Sequence, residues 1–479
     1  MKISAKLTGN SQGSRVGVHL LLSIVYKIIY TKSLVIIYVK YIYYAGDIMK
    51  NSKKIKVSQT MIVKNEEKNI QSALSWGKDM MVEQIVVDTG STDRTVEIAS
   101  QMGVKIMYFK WIDDFAAAKN FAIDSCIGDW IVIMDADEFF SDADAEKLPR
   151  IIEKADKDGF VAIETGWVNI DGKGGIIDRY TQIRIIKNIK SLRYKRRIHE
   201  ILDFKPGQYA YDASDELNII HTGYIEEIAH NKNKRARNHK LLLKELEVNR
   251  DDPEILGYLA DDYAIDEYDK AIEYYKRAID NIPDKIDKKD ARTATTFTKL
   301  IILLSQKHLT SDILDTYKIA EEKMPENSNN IYYTGLYFYN EKDYKTALGY
   351  YNKAFEKYEA NNGRYSELWE NKIQLAYAQY GHILLELNDI KGSVSIESKV
   401  LTNNKKEYLA LVTLLKAFYI SSVPEEKVFE YLGRIYDFSL ALDKVLVFKA
   451  SKEIGYKGLS DHIYNILNDK EKEVISKGV

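Results

Sequence analysis

One cysteine, six prolines and no surplus of either charge show what this 479-residue chain does without. The lone thiol, Cys126, can neither close an internal disulfide nor build a cysteine zinc site. That points to a reducing, cytoplasmic home. Cys126 ends a helical pattern just before Ile127 and Gly128, and reads as a packing residue rather than a nucleophile. Thirty-five tyrosines against six prolines argue against long disordered linkers. The 69 Lys+Arg are offset by 71 Asp+Glu, so the basic excess of a general nucleic-acid binder is missing. No nucleic-acid partner is expected.

Long apolar runs are missing too. Residues 16–45 are rich in Ile, Val and Tyr, but Lys27, Lys32 and Lys40 interrupt them. The longest uncharged run, Val16–Tyr26, falls far short of the ~20 residues that span a bilayer. A small-residue cleavage site of the signal-peptide kind is also lacking. No stable membrane span is expected. Met49 opens Met-Lys-Asn-Ser-Lys-Lys just before the first strand, and Ala45-Gly46-Asp47 can be encoded by a purine-rich ribosome-binding stretch. Residues 1–48 are therefore expected to be translated upstream sequence outside the functional fold. The alternative is an amphipathic, membrane-associating segment.

What is present is enough for two or three domains with a sizeable core. Hydrophobic content of 45% with 29% charged residues reads as globular. From Ile55, short apolar strands alternate with helices: Val57–Val63, a helix over 69–76, then strands at 84–87, 104–108 and 130–134 with helices at 95–102 and 114–125. Such a pattern predicts a parallel α/β sheet covered on both faces. Ligands of such sheets bind outside the carboxyl ends of the strands. Ser91 or Asp93 can cap the helix that begins near Thr95. Residues 160–170 and 179–187 read as longer strands.

From Ile225 the pattern turns helical. Ala271, Tyr275, Ala278 and Pro283 form one unit; Tyr317, Ala320 and Pro325 a second; Gly335, Phe338, Ala347, Tyr351 and Ala354 a third. These are the small and aromatic positions of the tetratricopeptide repeat, unevenly spaced here. A weaker unit surrounds Gly381 to Val400. Such arrays make concave surfaces for peptides or partner helices. The expected division is an α/β domain over 49–230 and a helical linker and repeat domain over 231–479.

Two acidic turns carry the chemistry. Asp135 and Asp137, in Ile131-Val-Ile-Met-Asp-Ala-Asp-Glu138, follow an apolar strand, and their i, i+2 spacing lets both reach one ion. Hard cations with oxygen ligands, Mn2+ or Mg2+, suit that pair and also bind phosphates. The plainer reading is a solvated turn. Asp88 ends another strand and opens Asp88-Thr-Gly-Ser-Thr-Asp93, where a ribose or base could be held and a nucleotide could approach the backbone.

Thr60-Met-Ile-Val-Lys-Asn65-Glu66, Asp88–Asp93, Asp114-Phe-Ala-Ala-Ala-Lys119-Asn120, Asp135-Ala-Asp137, Arg196-Arg-Ile-His199-Glu200 and His221-Thr-Gly-Tyr224 occur in this order. Together they resemble family 2 glycosyltransferases of the GT-A (Rossmann-like) fold. With the helical repeats appended, the layout is similar to the peptide S-glycosyltransferases that modify a cysteine in glycocin bacteriocins. The resemblance implies an inverting, metal-dependent transfer of a hexose, glucose above others, from a UDP-sugar to a cysteine or serine of a precursor peptide. It implies donor-binding roles for Thr60, Asn65, Glu66, Asp88, Lys119, Asn120, Asp135 and Asp137. Asp88 would hold the uridine, and Asp135 would touch ribose or metal. Asp137 would ligate the metal, with His221 or His199 completing it. Glu200 is the candidate general base, against a salt bridge to Arg196 or Arg197. Lys119 departs from the Arg of many relatives, keeping the charge but not the bidentate fork, which weakens its implied phosphate role. The enzymes resembled also imply a homodimer. The other readings are transfer to a lipid or polysaccharide acceptor, and a non-catalytic repeat scaffold.

Overall fold

The computed structural model describes residues 55–170, 174–222, 227–284, 286, 290–361, 369 and 372–476. The segment 1–48, expected to lie outside the fold, is outside the described residues.

Strand β1 (Val57–Val63) is buried almost throughout, as its apolar run requires. Helix α1 (Ile70–Ser75), β2 (Glu83–Asp88), α2 (Thr95–Gln101), β3 (Lys105–Tyr108), α3 (Phe115–Asp124) and β4 (Trp130–Ile133) follow in the predicted order. Asp114 caps α3, its carboxylate accepting the Ala117 N–H at 2.8 Å. Next come β5 (Glu138–Phe140), α4 (Asp142–Ala145), α5 (Leu148–Lys157), β6 (Ala162–Ile170) and β7 (Ile176–Lys187). Four short strands complete the set: β8 (Tyr194–Lys195), β9 (Ile201–Leu202), β10 (Ala210–Asp212) and β11 (Asn218–His221).

The main sheet runs β3-β2-β1-β4-β7-β6-β11-β5, with β10 also on β6. Only its first half is the parallel sheet expected: β3, β2, β1 and β4 are parallel, whereas β7 is antiparallel to both β4 and β6. The reason is connection length. A parallel return needs a long crossover, and the few residues between β6 and β7 allow only a hairpin. β8 and β9 form a separate two-stranded ribbon, with Tyr194 opposite Leu202.

Beyond β11 every described element is a helix. The series runs α6 (Glu227–Val248), α7 (Pro253–Tyr263), α8 (Tyr268–Asp280), α9 (Ala291–Gln306), α10 (Thr310–Lys323), α11 (Ser328–Asn340) and α12 (Tyr344–Asn361). It continues as α13 (Ile373–Glu386), α14 (Ile390–Asn403), α15 (Tyr408–Ile420), α16 (Glu425–Leu432), α17 (Ala441–Glu453), α18 (Lys457–Asn465) and α19 (Asp469–Ser476). Consecutive helices pack as pairs: α7 with α8, α9 with α10, α11 with α12, α13 with α14. The repeat positions explain the pairing. Ala271, Ala278, Ala320, Ala347 and Ala354 are buried. At Gly335 an added Cβ would lie 2.9 Å from the Tyr350 Cβ, so α11 and α12 meet at a separation that only glycine permits. The weaker unit around Gly381 and Val400 forms the α13–α14 pair. No described helix is long and apolar enough to cross a membrane.

Candidate active site

The parallel register sets the edge on which the site is built. Val63 at the end of β1 lies beside Asp88 at the end of β2. On the other side Thr60 lies beside Ile133, and the Met134 N–H donates to the Thr60 carbonyl at 3.1 Å. Asp88 and the Asp135–Asp137 turn therefore leave the sheet at one edge, two strand spacings apart, roughly 10 Å.

At the β2 end, Asp88 is buried and its carboxylate accepts the N–H groups of Gly90 (3.1 Å) and Ser91 (3.0 Å). It thereby shapes its own turn. Asn65, at a left-handed φ of 60°, accepts the Thr92 N–H at 2.8 Å and donates its own N–H to Ser91 Oγ at 2.9 Å. Glu66 donates its N–H to Thr95 Oγ1 at 2.7 Å. The loops after β1 and β2 are thus tied into one wall. Ser91 belongs to this wall and does not cap α2. Asp93 accepts the Thr95 N–H at 3.0 Å and serves the start of that helix instead.

At the β4 end, Asp135 sits between two cations. Arg184 donates to its Oδ2 at 2.7 Å, and Lys119 Nζ lies 3.6 Å from its Oδ1. Lys119 is buried and also pairs with Glu200 Oε1 at 2.5 Å. Burial opposes the lysine charge, but Asp135 and Glu200 outweigh it and hold the ammonium above its ordinary value. Burial likewise works against the Asp135 charge, and Lys119 and Arg184 overcome it, keeping that carboxylate ionised. Arg184 also binds Glu138, which is 1% exposed and accepts from Trp167 Nε1 at 2.8 Å and from the Asp135 N–H at 2.9 Å. Burial pushes the Glu138 carboxyl up. Asp135 itself keeps 39% of its side chain exposed, so it can still meet a ligand.

Asp137 faces His221. The His221 Nε2 lies 3.0 Å from Asp137 Oδ2, and its Nδ1 lies 2.5 Å from Asn169 Oδ1. Trp167 stacks on the imidazole at a centroid distance of 4.2 Å. Burial disfavours the charged ring, but the hydrogen bond and charge of Asp137 raise its affinity for a proton. One carboxylate oxygen and one imidazole nitrogen, with the far ring nitrogen held by a side-chain oxygen, fit a divalent cation of the Mn2+ or Mg2+ class. No described group of three or more His, Cys, Asp or Glu stands ready for a metal. The other ligands would have to come from diphosphate oxygens and water.

Several expectations are corrected here. His199 does not join Asp137 and His221: it stacks on Tyr258 of α7 at 3.5 Å between centroids, and burial there pushes its imidazole down to about 4. Glu200 pairs with Lys119, not with the neighbouring arginines; Arg196 binds Asp252 and Glu254, and Arg197 faces Asp114. Thr60 is fully buried inside the sheet, its hydroxyl donating to the Ile85 carbonyl at 3.3 Å, so it supports the strand instead of reaching the edge. The Asn120 amide is clamped on the Tyr194 backbone, giving a hydrogen bond at 2.9 Å and taking one at 2.8 Å. Cys126 is buried as expected, which pushes its thiol up to about 12.

Sequence reasoning gave no role to Arg184, Glu138, Asn169, Trp167 or Tyr194. Arg184 carried a usable signal: a lone charge in Ile183-Arg-Ile-Ile186 needs a buried carboxylate partner if the strand is internal.

The Glycosyl transferase family 2 model matches residues 58–226. A TPR repeat-containing protein of Synechococcus elongatus is 34% identical over 148 residues, 31% of this chain and 36% of that protein. The SPbeta prophage-derived glycosyltransferase SunS of Bacillus subtilis is 26% identical over 272 residues, 55% of this chain and 62% of that one. An uncharacterized glycosyltransferase of Rickettsia felis is 37% identical over 109 residues, 23% and 38% of the two chains. The chain therefore spans between 36% and 62% of these relatives' own lengths. The family 2 match thus falls on residues 58–226, the part of the chain that holds the sheet and its acidic edge, and the paired helices with their buried small residues follow it.

Proposed function

We propose that this chain is a metal-dependent, inverting glycosyltransferase that moves a hexose from a UDP-sugar to a cysteine of a peptide. One observation carries the reading: the Asp137–His221 pair and the Lys119–Asp135–Arg184 row share the sheet edge that ends in Asp88. Similarity to SunS over more than half of this chain supports glycosyl transfer. Residues 49–230 would bind the donor, and 231–479 would hold the acceptor.

In this reading the wall of Asn65, Glu66 and Asp88 receives the nucleoside. Asp135, fixed by Arg184 and Lys119, accepts from a ribose hydroxyl. Asp137 and His221 would hold Mn2+ or Mg2+, which when bound neutralises charge developing on the leaving diphosphate. Glu200 takes the acceptor proton. Lys119 engages its Oε1, which leaves Oε2 for that task. A base so engaged suits a thiol, whose ordinary pKa of roughly 8.5 already supplies some thiolate at neutral pH. A serine hydroxyl would need far more help.

The test is incubation of the full chain with UDP-glucose, Mn2+ and a cysteine-containing peptide, followed by mass spectrometry. One added hexose on the cysteine is expected. A chain that binds peptide and nucleotide but transfers no hexose from any UDP-sugar would contradict the proposal.

A further inference from the structure

We propose that the loop 196–200 is a relay through which the helical domain positions Glu200, so that the first repeat is part of the active site. The inference rests on the reading above for the role of Glu200 alone.

The loop joins β8 to β9, and helices grip it at every residue before Glu200. Arg196 forks onto Asp252 at 2.9 and 3.1 Å and reaches Glu254 at 2.7 Å. Asp252 and Glu254 are the N-cap and first turn of α7. The Arg197 N–H donates to Glu245 of α6 at 2.9 Å, and the Arg197 carbonyl accepts the Phe115 N–H of α3 at 2.8 Å. Ile198 is buried in the core formed by α6 to α11. His199 lies flat on Tyr258 of α7, and the Arg292 guanidinium of α9 lies 4.5 Å from that same ring centroid. One residue further, Glu200 meets Lys119 on α3.

The backbone shows that this grip is imposed. Arg196 and His199 adopt left-handed φ values of 72° and 50° without being glycine. Such conformations persist only where the surroundings over-determine them. At the other end Asn120 clamps the Tyr194 backbone, so the ribbon is fixed to α3 while its tip is fixed to α7. A shift of α7 relative to α3 must move Glu200 against Lys119 and Asp135. Arg196 and Tyr258 are thus positioning residues that act on the proposed base.

Steady-state kinetics of the full chain with Arg196→Ala and Tyr258→Leu tests this. We expect kcat to fall roughly ten- to hundredfold with the KM for the UDP-sugar unchanged, as for a misplaced catalytic group. In a Glu200→Gln background the same substitutions should cost little more, because the loss acts through Glu200. Equal losses in both backgrounds, unchanged kcat, or a loss confined to KM would overturn the relay. Tyr258→Leu keeps the ion pairs and serves if Arg196→Ala does not fold. If the wild-type chain transfers no sugar, the proposed activity fails and hydrogen exchange decides the relay. Tyr258→Leu should then raise exchange in Phe115–Asp124 and residues 194–202 while Val57–Val63 stays protected. A rise confined to Pro253–Tyr263 would overturn it.

Discussion

Asp137 Oδ2 and His221 Nε2 lie 3.0 Å apart although 84 residues separate them in the chain. β11 brings them together by pairing antiparallel with β5, which places His221 opposite Glu138, one residue from Asp137. The contact joins the acidic turn to the far side of the sheet. Asp137→Ala should abolish sugar transfer, and His221→Ala should cost roughly 10²–10³-fold, the range for loss of a charge-stabilising group. A chelator should mimic both. Wild-type rates in His221→Ala would remove the imidazole from the site.

Arg184 holds two carboxylates, one of them almost fully buried. Arg184→Met strands Glu138 without its cation and should cost about 3–5 kcal/mol in urea unfolding. Pairing it with Glu138→Gln should recover part of that loss, because an amide carries no charge to desolvate. An Arg184→Met chain as stable as wild type would show that Glu138 is already protonated there.

Glu397 on α14 is buried with neither carboxylate oxygen hydrogen-bonded. Burial, with the Glu407 charge behind it, pushes its carboxyl from the ordinary 4.5 up to about 10. The folded chain keeps a proton that the unfolded chain releases above its ordinary value, so the native state binds more protons. Stability should therefore fall as pH rises from about 4.5 towards 10. Glu397→Gln should remove this dependence, gaining roughly 4 kcal/mol at pH 8 relative to pH 5. Thermal melts at both values check it; an equal difference at the two would contradict the assignment.

Thr60 and Asn120 separate support from recognition. Thr60→Val should cost about 1 kcal/mol for the lost hydrogen bond and leave UDP affinity unchanged. Asn120→Ala should cost about 1–3 kcal/mol, since it leaves two Tyr194 backbone groups unpaired. A large fall in UDP affinity in Thr60→Val would return that residue to the donor site.

The legible part of this molecule was the local part. Strands such as Val57–Val63 and Trp130–Ile133 announced themselves as short apolar runs, and Ala271, Tyr275 and Ala278 by their repeat spacing. Asp88 and Asp137 could be placed on one edge because parallel strands share a carboxyl end. The mixed half was hidden: β10 and β11 run parallel to β6 while β7 and β5 run against their neighbours, and an apolar run carries no mark of strand direction. Long-range partners were hidden as well. Glu200 stands beside Arg196 and Arg197 in sequence, yet its partner Lys119 comes from another helix, while both arginines turn elsewhere. His221 stood as the first candidate ligand with His199 as the alternative, and the packing of α7 against the loop 196–200 shows where His199 goes instead.

Calorimetric titration of UDP into the wild-type chain and Asp137→Ala, each with Mn2+ and with a chelator, addresses the shared edge most directly. The account predicts tight binding only for wild type with Mn2+, and little binding in the other three. Equal affinity in the chelator, or in Asp137→Ala, would contradict it.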